Sequence, residues 1–182
     1  MSIYEEVMLL AETVRRPRGT ELPDGADSFE LQDFSRETGF ALPPELRRWL
    51  SFTNGPLIGP GGIFGIETEG HSRNISDVLD LVPAFRKKNW LPIAGDGCGN
   101  YYVLASESKS LRPVYFINAY GGYDVAAYAV ASELWLFLRF LFQSELGVKS
   151  WPFNEVFVTT HDPMILNVTG APLPWRTGQK IA

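Results

Sequence analysis

Residues 95–100 read GDGCGN, between the apolar run WLPIA and the aromatic run YYVLA. A glycine-rich loop of this kind suits a phosphate cradle, and Cys98, the single cysteine of the chain, suits a nucleophile. A phosphate loop works because backbone N–H groups converge on the anion from a helix N-terminus. A dinucleotide fingerprint likewise leads from a strand into a helix. Here the following residues, YYVLASES, have the character of a strand, and no Lys-Ser or Lys-Thr pair follows the glycines. GDGCGN therefore reads as a β-turn, with Gly95, Gly97 and Gly99 supplying positive φ where needed. Asp96 and Asn100 offer side-chain oxygens, but calcium takes six to eight, so Asx-turn hydrogen bonding is their expected role.

The other chemistry-bearing residues do not assemble into a site. A Cys98 nucleophile needs a base and a lowered pKa, and the two histidines, His71 and His161, lie in unrelated segments. One Cys and two His also lack any zinc-ligand spacing. His161-Asp162 is half of a triad, but no G-x-S-x-G elbow completes it, and a histidine beside an Asp-Pro turn accounts for TTHDP. Glu5 and Glu6 point to different sides of a helix, which suits solubility better than paired acid–base work. The expectation is a protein that is not an enzyme and that holds no metal and no cofactor.

Composition narrows the partners. With 182 residues, 45% of them hydrophobic, the chain fits a single domain able to bury its own core. Its net charge is −5 and its Lys and Arg are scattered, so the basic stripe of a nucleic-acid binder is missing and a basic partner is favoured. A lone cysteine fits a reducing compartment. The opening MSIYEEVMLLAETVRR places two glutamates where a signal peptide carries positive charge. The most apolar run, LWLFLRFLF (134–142), contains Arg139 and falls well short of the ~20 residues that span a bilayer. A cytoplasmic protein with no membrane partner is expected.

The elements that must position any site follow from periodicity. Residues 2–15 predict a helix through Val7, Leu10 and Val14, and 17–27 a loop. Ser28 is placed to cap a second helix ending at Gly39. On it Glu30, Asp33 and Glu37 share adjoining faces, which is either a solvated surface or a docking surface for a basic partner. LPPELRRWLSFTNG (42–55) predicts a helix opened by prolines, buried through Leu46, Trp49 and Leu50, and stopped by left-handed Asn54-Gly55. IFGI (63–66) predicts a short strand, and Ser72–Lys88 a helix interrupted near Pro83. WLPIA, YYVLA and PVYFINAY predict consecutive antiparallel strands, and YDVAAYAVA the start of another. Ser132 opens an apolar packing helix to about Gly147; EVFVTT (155–160) is a further strand candidate. The expected class is α+β, with N-terminal helices, a central antiparallel sheet of about four to six strands and a closing apolar helix.

This order of elements resembles the SUKH superfamily, which includes bacterial immunity proteins and fungal regulators of cell-wall synthesis. The resemblance runs from about Phe29 to Ser144, within a single domain whose family-like core is about 28–147. Helix 2–15 precedes that core and the extension 148–182 follows it. It is carried by FSRETGFALPPELRRWLSFTNG (34–55), WLPIAGDGCGNYYVLA (90–105), PVYFINAY (113–120) and the Ser132 helix, in that sequence. The resemblance implies a binding module, most often one that binds and neutralises a cognate polymorphic toxin. A regulatory scaffold like the fungal relatives is the alternative. Candidate contacts are Glu30, Asp33 and Glu37, and a rim formed by Asn54, Gly55 and the 95–100 turn with Asp96 and Asn100.

Overall fold

The computed structural model describes residues 1–14, 21–67, 74–106 and 111–177. His71 and Ser72, and most of the 17–27 loop's first half, lie outside the described residues. The chain enters through α1 (Ile3–Thr13), α2 (Ser28–Thr38) and α3 (Pro44–Phe52). Ser2 caps α1 and closes a capping box with Glu5. Asp27, not Ser28, caps α2. Its Oδ1 accepts the N–H groups of Phe29 and Glu30 at 2.7 and 2.9 Å, and Glu30 accepts the Asp27 N–H at 2.7 Å. A carboxylate holding two orphan donors at the positive helix end outcompetes the serine one position later. Gly39 ends α2 in the left-handed conformation, φ 75°. Pro43 and Pro44 open α3, which ends at Thr53 in extended backbone. Of the Asn54-Gly55 pair only Gly55 is left-handed, φ 71°.

The helix broken at Pro83 appears as α4 (Ile75–Leu81) and α5 (Pro83–Lys87). A meander follows: β1 (Trp90–Gly95), β2 (Tyr101–Ala105), β3 (Val114–Ile117) and β4 (Tyr128–Ala131) form one antiparallel sheet in the order β1-β2-β3-β4. Only the end of YDVAAYAVA is strand. IFGI makes two isolated bridges rather than a strand, Ile63 with Ala94 and Gly65 with Asn74. The bridge to Ala94 falls where β1 itself bulges between Pro92 and Ala94, so a regular ladder cannot extend outward there. Pro92, lacking an N–H, is tolerated because β1 is an edge strand.

The sheet leads into α6 (Leu134–Glu145), and EVFVTT is a helix, α7 (Glu155–His161), instead of a strand. Asn154 caps α7 by accepting the Phe157 N–H at 2.9 Å. The β4 edge it would have joined is taken by the chain end, where the Pro172 carbonyl accepts the Ala129 N–H at 2.9 Å. Tyr102, Phe116 and Tyr128 lie in register across one sheet face, and Tyr102 meets Phe137 of α6 at 5.0 Å. On the other face Tyr101 meets Phe85 of α5 at 5.6 Å. Beyond α6 lie α1 and α3, with Phe142 against Trp49 at 5.9 Å. Sandwiched in this way, α6 buries Phe137, Phe140 and Phe142 completely, each stabilising the fold by about 1.5–3 kcal/mol.

Candidate interaction surfaces

The α2 acids have different fates. Glu30 is engaged in the capping box, Asp33 is half-buried and paired with Arg36, and Glu37 is exposed. A fourth acid joins them from elsewhere in the chain: carboxylate oxygens of Asp33, Glu37 and Glu67 all lie within 4.8 Å of one another. Helical i, i+4 spacing brings the first two together, and left-handed backbone at Glu67, φ 49°, brings the third. Asn54 anchors that segment. Its Nδ2 donates to the Ile66 carbonyl at 2.6 Å and its Oδ1 accepts the Ile66 N–H at 2.8 Å. Phe29, 68% exposed, stands one helical turn from Asp33. Nothing in the sequence pairs Glu67 with α2; the contact exists only in the fold. Asp33 is half-buried in this cluster, while Glu37 and Glu67 are exposed.

The 95–100 stretch is the β1–β2 turn. Asp96 Oδ1 accepts the N–H groups of Cys98 and Asn100 at 2.8 and 3.1 Å, and Oδ2 accepts Asn100 Nδ2 at 2.6 Å. Asp96 therefore does the Asx-turn work expected of it, whereas the Asn100 Oδ1 accepts the Ala119 N–H at 2.9 Å and joins the turn to the β3–β4 connection. Gly97 and Gly99 are left-handed, φ 79° and 87°, whereas Gly95 belongs to β1 and has no positive φ. Gly95 is closely approached instead, with the Phe64 ring 3.3 Å from where a Cβ would stand. Gly55 is buried and the Asn54 amide is committed to Ile66, so this pair holds the interior of the fold rather than offering side chains to a rim.

Of the residues weighed for catalysis, Cys98, His161 and Asp162 are among the described residues and His71 is not. Cys98 is exposed and free. His161 Nδ1 lies 2.8 Å from the Phe157 carbonyl, while its neighbour Asp162 is buried and accepts Ser132 N–H at 2.7 Å and Ser132 Oγ–H at 2.6 Å. Burial pushes the Asp162 carboxyl above the usual range, against the pull of those donors. Glu133 is raised as well, by burial first and then by the carboxylates of Asp162 and Glu45. It lines a cleft of about 370 Å³ with Glu45 and Arg112, which pair at 3.4 Å. Glu5 caps α1, and Glu6 pairs with Arg139 at 2.9 Å. Burial raises the Tyr102 phenol, which suits a packed ring.

No helix among the described residues is long and apolar enough to cross a membrane. No curated protein and no solved structure matches the chain significantly. A family model does match, over residues 25–139, more than half of the chain. That span runs from the Asp27 cap of α2 through the α3 helix, the Asx-turn hairpin and the whole sheet into α6. On the strength of that match, the chain belongs to the SMI1 / KNR4 family (SUKH-1).

Proposed function

We propose that this chain is a non-catalytic protein-binding module of the cytoplasm, an immunity protein that binds and neutralises a cognate polymorphic toxin with a basic surface. Membership of the SUKH-1 family supports protein binding. The single observation that carries the choice of a basic partner is the carboxylate cluster of Asp33, Glu37 and Glu67 beside exposed Phe29. Arg36 pairs with Asp33, and Glu37 and Glu67 add negative charge beside that pair which an incoming Lys or Arg complements. An aromatic side chain next to such a cluster adds apolar contact area, the usual make-up of a binding hot spot.

Charge reversal tests this directly. Glu37→Lys with Glu67→Lys is expected to weaken binding at least tenfold to a basic toxin domain that the chain neutralises, mostly through slower association, and to flatten its salt dependence. Unchanged affinity and salt slope would remove the acidic face from the account. Capture of a cellular regulatory protein, with no toxin inhibited, would favour the scaffold role of the fungal relatives.

A further inference from the structure

Three loops meet at one end of the sheet: residues 59–62, the 95–100 turn and the β3–β4 connection from Asn118 to Ala126. They are locked together by short contacts. Gly95 N–H donates to the Gly62 carbonyl at 3.2 Å, Ala119 N–H to Asn100 Oδ1 at 2.9 Å, and Tyr123 Oη–H to the Gly99 carbonyl at 3.2 Å. The fit between the first two loops is close, since a Cβ on Gly97 would stand 3.0 Å from the Pro60 carbonyl oxygen. On this fixed base Tyr120 is completely exposed and Val125 is 58% exposed. The three loops carry two acids, Asp96 and Asp124, and no Lys or Arg.

We propose that this loop end is a preorganised docking surface for the same basic protein partner, with Tyr120 as its anchor. The proposal rests on the binding function given above and assigns it a second contact region. Gly dominates the three loops, and Tyr120 and Tyr123 stand among them, so the loops offer aromatic contact of the kind that antibody loops supply at low entropic cost. Loops already pinned to one another lose little further freedom on binding, which favours affinity. A tyrosine projecting whole from such a base has the chemistry of an interface anchor. The acid-only charge selects a basic surface, as the α2 face does. The two regions are linked by the segment from Gly62 to Glu67, which spans at most about 18 Å.

Gly121 provides a clean test. It has no positive φ, and a Cβ built there meets no atom within 4 Å. Gly121→Trp is therefore expected to leave the melting temperature unchanged while placing an indole in the partner's path. Binding of a basic toxin domain, as a catalytically dead variant, is measured for the full chain, for Gly121→Trp, for Tyr120→Ala and for Glu37→Lys with Glu67→Lys. Losses of about 30-fold or more for both Gly121→Trp and Tyr120→Ala, with stability intact, are expected. If both bind within twofold of the parent while the charge reversal still weakens binding, the loop surface is wrong and the function stands. If the unaltered chain does not bind the domain at all, the function and the surface fall together.

Discussion

Asn54 holds both polar backbone groups of Ile66, accepting its N–H at 2.8 Å and donating to its carbonyl at 2.6 Å. An asparagine used this way replaces one rung of a β-ladder, and it sets the segment that delivers Glu67 to Asp33 and Glu37. Asn54→Ala leaves two buried backbone groups of Ile66 without their partner, a cost of about 1–3 kcal/mol in denaturant unfolding. Toxin affinity is expected to fall as well, although no charge has been removed. Full affinity with the stability loss would separate Asn54 from the acidic face.

Close packing of the 59–62 loop against the β1–β2 turn gives a second prediction. A Cβ on Gly61 would stand 2.5 Å from the Gly95 carbonyl carbon and 2.6 Å from the Gly97 nitrogen, both backbone atoms. Gly61→Ala therefore forces the loops apart and is expected to cost about 1–3 kcal/mol. Gly121→Ala, in open space, is expected to change the melting temperature little. Equal effects at the two positions would contradict the observed loop contact.

The Ser132–Asp162 pair ties the end of α7 to the β4–α6 junction. Ser132→Ala removes a hydrogen bond to a buried carboxylate and is expected to destabilise by about 1.5–3 kcal/mol.

A pH dependence follows from the same corner. Burial raises both Asp162 and Glu133 in the native state, so the folded protein holds these protons more tightly than the unfolded chain. Their contribution to stability is greatest below the ordinary carboxylate range. It falls as pH rises through that range to the raised native values, and is level above them. Urea unfolding across that window is expected to show a shallower decline in Asp162→Asn than in the parent. An unchanged slope would mean that Asp162 does not titrate differently on folding.

Much of this was legible in the sequence. Pro43 and Pro44, Gly39, Trp49 and the hairpin at GDGCGN carry their signals locally, in caps, breaks and turn residues. EVFVTT misled because its β-branched and aromatic run has strand propensity, while its helix depends on the Asn154 cap and on Phe157 packing on Phe140 at 5.9 Å. The candidate site was half legible. Spacing within α2 places Asp33 near Glu37, but Glu67 joins them through the Asn54–Ile66 clasp, a long-range contact without periodicity. Tyr120 was hidden for a similar reason, since exposure of a loop residue depends on what packs around it.

Titrating the toxin domain's activity with this chain tests the central claim most directly. The account predicts a linear fall to full inhibition at one equivalent, unchanged by His161→Ala and shifted to excess by Glu37→Lys with Glu67→Lys. Inactivation by substoichiometric amounts, lost on Cys98→Ser or His161→Ala, would contradict it and make the chain an enzyme.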